Sequence, residues 1–328
     1  MGHQDFGEVF NQFVNNPWKP LVYQYVFLLL THFVVARGVE SGIERFSKVM
    51  MPMLLVIIVL LSCFSLTMPG AYDGLNFLLK PNFSKVTTRV VLSAMGQAFF
   101  SLSVGIGCLA TYASYFKKDT NLVKSAVGVC AIDSMVAIMS GFIIFPAAFS
   151  VAGVQVDSGP GLVYITLPHV FNMAFENIPF IGYLFSALFY VLLLLAALTS
   201  TISMHEIATA FIRENYKCSR QKSAVIVTLI CIVLGTACSL SFGPWADIKI
   251  WGMGFFDLFD FLTAKFIMPL GGILITMFVE WYLDRKLVVD ELTNGGTVRV
   301  RGLRFLLFLI RWVAPIGVGI VFLNELAG

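Results

Sequence analysis

Eight runs of apolar residues divide this chain, at about 20–36, 47–68, 90–115, 124–149, 179–212, 221–241, 253–281 and 303–325. Each is near the roughly 20 residues that a helix needs to cross a bilayer core. Only 12% of the 328 residues are charged and 58% are hydrophobic, whereas a soluble domain has roughly 25% charged. The chain is therefore expected to be an all-α, polytopic membrane protein of about eight transmembrane helices. No ten-residue alternation of the kind that builds a β-barrel competes with this. The formal charge of +3 is uninformative about partners, and nothing points to nucleic acid.

The third run is unusual at its middle, Gly96-Gln97-Ala98-Phe99-Phe100-Ser101-Leu102-Ser103-Val104-Gly105-Ile106-Gly107. A spanning helix must satisfy its backbone polar groups internally, because lipid has no partners for them. Glycine permits a break, and the freed carbonyls and hydroxyls then face something polar. A spanning helix interrupted at mid-membrane is a sequence pointer to a transporter's binding site. The alternative is a glycine-containing packing face. The polar set at the centre favours a discontinuous helix over 90–115.

Lys and Arg divide unevenly between alternate loops. Arg37, Arg45, Lys48, Lys117, Lys118, Lys124, Arg213, Lys217, Arg220, Lys222, Arg285, Lys286, Arg299, Arg301 and Arg304 fall on one side, and Lys19, Lys80, Lys85, Arg89 and Lys249 on the other. The richer side is cytoplasmic by the positive-inside rule. Residues 1–19 and the loops near 69–88, 150–178 and 242–252 are then outside. Residues 1–19 are polar and lack the basic start of a signal peptide. No span precedes them to carry them across, so earlier spans are expected to be missing and the chain is read as truncated. The loop 150–178 combines the turn signal Gly159-Pro160-Gly161 with an apolar stretch too short to span, and short helices folded over the outer face are expected there.

Several residues invite chemistry. Asp133 lies nine residues past Lys124, about 13 Å into the membrane at 1.5 Å per residue. A bare carboxylate there costs at least ~2.5 kcal/mol and is a functional candidate by default; the alternative is an Asp neutralised by protonation. Thr199-Ser200-Thr201, taken alone, suits hydroxyls bonding back along a helix. Asp257 and Asp260 open a helix at the outer face, where acids complement the helix dipole. Lys265 is either their local partner or a snorkelling side chain. His205-Glu206 lacks the second His of a zinc protease, since Thr209 stands there. Glu206 is expected to be a buried hydrogen-bonding group of the bundle. Gly105-Ile106-Gly107-Cys108-Leu109-Ala110 matches a loose dinucleotide pattern but follows no strand. The six cysteines form no pair spacing that suggests metal or disulfide.

Gly42-Ile43-Glu44-Arg45-Phe46, Gln97-Ala98-Phe99-Phe100-Ser101-Leu102-Ser103, Thr111-Tyr112-Ala113-Ser114-Tyr115, Gly159-Pro160-Gly161 with Leu167-Pro168, Ala196-Ala197-Leu198-Thr199-Ser200 and Phe256-Asp257-Leu258-Phe259-Asp260 together resemble the neurotransmitter:sodium symporter family, in particular its bacterial amino-acid transporters. In order and spacing they are similar to the family's fourth to eleventh helices. The resemblance implies a partial inverted-repeat, leucine-transporter-like fold. Residues 20–68 would be the last two helices of the first repeat, 90–284 the whole second repeat and 303–326 an additional helix, with 1–19 an extracellular stub.

Carried across by position, the resemblance implies a substrate pocket lined by Phe100, Ser101, Ser103, Ile106, Ser200 and Met204. It implies two partly present sodium sites, one with Ser101 and Asp133, the other with the Ala196 carbonyl and the hydroxyls of Thr199 and Ser200. Oxygen donors of this kind suit a hard cation. Asp260 would be the outer-gate carboxylate. In animal members a chloride lies by the positions of Gln97, Ser101, Asp133 and Ala137, and Asp133 stands where the family usually has asparagine. Its charge would replace the chloride, so chloride is expected not to be required. The implied function is sodium-coupled symport of a neutral, hydrophobic amino acid across the inner (plasma) membrane by alternating access, with no enzymatic activity. The 328 residues alone are expected to be inactive. Expected partners are the substrate, the lipid bilayer and a second copy in a homodimer. The alternative is a scaffold, sensor or partner-binding remnant that moves nothing.

Overall fold

Among the described residues, seven continuous helical stretches are long and apolar enough to cross a membrane: Lys19–Ala36, Val39–Ser65, Leu122–Phe149, Pro179–Tyr216, Arg220–Leu240, Phe255–Tyr282 and Leu303–Asn324. The remaining apolar run, near 90–115, forms two shorter helices separated by a gap. This computed structural model describes residues 6–150, 162–176 and 178–327, and no strand occurs among them. The helices are α1 (Phe6–Asn15), α2 (Lys19–Ala36), α3 (Arg45–Ser65), α4 (Ala71–Leu79), α5 (Thr88–Ser101), α6 (Cys108–Ala113), α7 (Leu122–Phe149), α8 (Leu167–Ala174), α9 (Pro179–Tyr216), α10 (Arg220–Leu240), α11 (Phe255–Asp260), α12 (Met268–Met277), α13 (Arg285–Thr293), α14 (Leu303–Phe308) and α15 (Ala314–Ala327). Wider π-helical turns join some of them, notably Val39–Glu44, Phe261–Ile267, Phe278–Tyr282 and Leu309–Val313. The chain divides into two units, residues 1–81 with 136–256 and residues 82–135 with 257–328.

The first unit is organised by α9. Its 38 residues make a rod about 57 Å long at 1.5 Å per residue. Leu192, Leu195, Leu198, Ile202, His205, Glu206, Thr209 and Ala210 are buried along it, a stripe at the three- and four-residue spacing of one helix face. α2, α3 and α10 pack against α9, and α2 also packs against α10. Small and hydroxylated residues join helices here, as they do where lipid supplies no hydrophobic drive between spans. Ser65 on α3 donates to the Ile143 carbonyl of α7 at 2.8 Å and Ser62 to that of Met139 at 3.1 Å. Tyr216 and Arg220 are separated by three residues, of which Lys217 is left-handed (φ +50°) and Ser219 caps α10 through the amide of Lys222.

Two segments expected outside the membrane belong to this unit. Residues 6–15, expected as a polar stub, form a helix, with Phe10 stacked on Tyr164 at 6.0 Å and Phe13 5.9 Å from Tyr23. The short helices expected over 150–178 are present at Leu162–Thr166 and α8. Leu167, Val170 and Phe171 are buried, and Phe171 meets Phe185 and Phe189 edge-on at 5.0 Å each. The turn signal Gly159-Pro160-Gly161 lies outside the described residues.

In the second unit α15 packs against both α12 and α5, and α12 follows directly on the π turn Phe261–Ile267. Thr87 caps α5 by accepting from the amide of Val90 at 3.3 Å, the side-chain solution to orphan helix-end donors.

Candidate functional site

The break in the third apolar run falls at 102–107. α5 ends at Ser101. The Ser103 amide donates to the Phe100 carbonyl at 2.9 Å, and Val104 reaches back to Phe99 at 3.2 Å. Ser103, Gly105 and Gly107 have φ of +51°, +95° and +87°. Alternate left-handed residues cannot continue a right-handed helix, and glycine carries such angles at least cost. α6 then starts at Cys108, with both the amide and the hydroxyl of Thr111 donating to the Gly107 carbonyl at 2.9 and 3.0 Å. The regular helix ladder therefore does not run through 102–107, which is a succession of turns. Irregular main chain in mid-span is where a polar occupant can be met, since lipid has no partners for it.

Beside it, the Ser101 hydroxyl donates to Oδ1 of Asp133 at 2.7 Å. Asp133 is half-buried on α7, while Gln97, Phe100 and Ser101 are exposed and Ser103 and Ile106 half-buried. These residues share the second unit. So does Asp260, which is exposed on α11; among the described residues neither it, Asp257 nor Lys265 forms an ion pair.

Ala196, Thr199, Ser200 and Met204 lie on α9 in the first unit. Ser200 and Met204 are exposed on the face away from the buried stripe, and Ala196 and Thr199 are half-buried at its margin. The Thr199 hydroxyl donates to the Ala196 carbonyl at 2.8 Å, an oxygen the helix already uses, so a carbonyl and a hydroxyl oxygen are held side by side and the spare lone pairs are on the hydroxyl. The candidate residues are thus distributed over both units: Gln97, Phe100, Ser101, Ser103, Ile106 and Asp133 in one, Ala196, Thr199, Ser200 and Met204 in the other.

A second polar system was not foreseen as a whole. On the buried side of α9, His205 Nε2 and His32 Nδ1 both lie against the Thr228 hydroxyl, at 2.9 and 2.8 Å. Thr228 donates to the Ala224 carbonyl at 2.8 Å, so its oxygen accepts from both imidazoles. By that donor count His205 carries its proton on Nε2, and its Nδ1 accepts from Thr209 at 3.0 Å. Glu206, fully buried, takes Arg220 bidentately at 3.0 and 2.5 Å, and Arg220 Nε donates to the Val35 carbonyl at 2.8 Å. Tyr25 and Thr236 pair at 2.9 Å. Tyr25, His32 and Val35 on α2 thus meet Thr236, Thr228 and Arg220 on α10 in antiparallel order. The expectation that Glu206 is a bundle hydrogen-bonding group is met by Arg220. A carboxylate at that depth needs such a partner, but its identity depends on how two helices pair.

The description "Sodium:neurotransmitter symporter family" matches residues 11–327. This chain belongs to the sodium:neurotransmitter symporter family. It is 39% identical over 324 residues, 99% of its length and 70% of the other's, to the uncharacterized sodium-dependent transporter YhdH of Bacillus subtilis. It is 31% identical to an uncharacterized sodium-dependent transporter of Haemophilus influenzae, covering 95% of this chain and 66% of that one. A crystal structure of MhsT in complex with L-phenylalanine matches with a TM-score of 0.84 at 38% identity, over 99% of this chain and 72% of that one. As a member of the symporter family the chain is a multi-pass membrane protein of sodium-coupled transport with a leucine-transporter-like fold, not an enzyme.

Proposed function

We propose that the chain carries part of a sodium-driven pathway for a neutral, hydrophobic amino acid. The observation that carries this reading is the unwound, partly left-handed turn at 102–107 beside the Ser101–Asp133 pair. Phe100, Ser101, Ser103, Ile106, Ser200 and Met204 would contact the substrate, the apolar members selecting a side chain without charge. One sodium would be held by Ser101 and Asp133, a second by the Ala196 carbonyl, Thr199 and Ser200, with Asp260 at the outer gate. Sodium would bind one gate conformation more tightly, and the substrate would share that preference. Asp133 would supply the negative charge that chloride provides elsewhere. The solved neighbour's L-phenylalanine fits the same side-chain class.

On this reading each sodium site is only partly present within residues 1–328, so this chain alone does not transport. A chimera with the N-terminal part of the Bacillus subtilis relative ahead of Met1 would complete the sites. In proteoliposomes with an inward sodium gradient, the chimera is expected to accumulate labelled L-phenylalanine or L-leucine but neither lysine nor glutamate. The 328-residue chain is expected to stay at background. No neutral amino-acid uptake by the chimera would overturn the transport reading, and robust uptake by the chain alone would overturn its incompleteness. Replacing chloride by gluconate is expected to leave uptake unchanged; a fall to background would remove the role given to Asp133. The homodimer belongs to the same reading, and a monomer mass in nanodiscs would reject it.

A further inference from the structure

The unwound turn rests on bare backbone. A Cβ at Gly105 would collide with the Met268 carbonyl oxygen, and one at Gly271 would lie 2.5 Å from the Gly105 carbonyl oxygen. A Cβ at Gly272 would lie 2.6 Å from the Phe99 ring. The contact is reciprocal. The turn needs α12 to lack side chains, and α12 needs a glycine at 105. The sequence of α12 supplies such a surface. Pro269 brings no amide proton, Gly271-Gly272 follow, and the π turn Phe261–Ile267 precedes them. Two backbones separated only by Cα–H groups leave no soft side chain to absorb a displacement, so the position of one dictates that of the other.

We propose that Gly271 and Gly272 are positioning residues: the α12 backbone is the seat that sets where the turn 102–107 holds Ser103 and the adjoining Ser101. Through Ser101 it sets the sodium affinity of the proposed site, and to that extent the inference rests on the proposed function. The two glycines differ in a way that can be tested. A methyl at 271 meets main chain, which cannot be trimmed. A methyl at 272 meets chiefly the end of the Phe99 ring, which can.

The variants are Gly271→Ala, Gly272→Ala, each combined with Phe99→Leu, and the control Gly319→Ala, where a Cβ has nothing within 4 Å. In the transporting form, Gly271→Ala is expected to raise the half-saturating sodium concentration about tenfold or more, since small displacements of a positioned group are expensive. Its melting temperature should stay close to that of the control. Gly272→Ala is expected to show a smaller rise that Phe99→Leu reverses, while Phe99→Leu leaves Gly271→Ala impaired. Unchanged sodium dependence in folded Gly271→Ala overturns the proposal. So does a Gly272→Ala defect that Phe99→Leu does not relieve, and this pair decides the matter if Gly271→Ala fails to fold. If no form transports, the proposed function fails separately. The seat is then read in the 328-residue chain from methanethiosulfonate modification of Ile106→Cys, followed by mass spectrometry of its peptide. Faster modification with Gly271→Ala or Gly272→Ala, restored by Phe99→Leu only in the latter, supports the seat, and equal rates in all variants overturn it.

Discussion

α5–α6 and α9 both carry hydroxyl groups near the middle of an apolar run, yet one is broken and the other is a continuous rod. In α9, Thr199, Thr201 and Ser203 donate to carbonyls three or four residues earlier, at 2.8 to 3.1 Å, adding a bond to oxygens the helix already uses. No glycine follows Gly182 in that helix. In the other run, Gly105 and Gly107 take left-handed angles and the ladder stops. Hydroxyls in a span therefore do not break it. Glycines that adopt φ above zero do, and they bring irregular main chain to mid-span where α9 brings only side-chain hydroxyls.

The largest test of this contrast is on the α9 side. Arg220→Met removes the bidentate ion-pair partner of the buried Glu206 carboxylate and is expected to cost about 3–5 kcal/mol. An SDS-unfolding titration would measure it, with the double change Glu206→Leu/Arg220→Met losing much less. Thr228→Val removes the oxygen that receives two imidazole protons, an expected loss of about 2 kcal/mol in the same assay. A loss below half of that would mean water replaces the hydroxyl, and that α9 is less tightly fastened than the geometry implies. The smallest effect tests the hinge chemistry itself. Gly107→Ala puts a Cβ on a left-handed residue with free space around it, so only backbone strain of about 1–2 kcal/mol is at stake. Ala197→Gly in α9, which adds a glycine without a left-handed turn, is expected to cost about 1 kcal/mol and to leave the rod unbroken by hydrogen exchange. A break there would undo the distinction.

The interruption at 102–107 was legible because Gly105 and Gly107 flank the middle of a run that lipid should keep helical. The spans were legible for the same reason, that their length and apolarity have few other uses. The helical character of residues 6–15 was not, since its aromatic contacts lie on Tyr23 and Tyr164, remote in sequence. Ser101 and Asp133 are 32 residues apart, and only the family resemblance, not spacing, brought them together beforehand. The seam of His32, His205 and Thr228 has no signature in the sequence, because each residue alone is common in a packed span. Its existence depends on the register of α2 against α10, which no local pattern encodes. Nothing in the sequence around Gly271-Gly272 marks it out; its role depends on the Gly105 carbonyl that the fold sets against it.

The brief connector at Lys217–Ser219 has a further implication. Each residue added to or removed from a helix turns everything beyond it by about 100°. Arg220 is the first residue after that connector, and it must face both Glu206 and the end of α2. The hairpin thus acts as a ruler: homologues with a longer or shorter link between these two spans must anchor the deep carboxylate from another direction, or do without it.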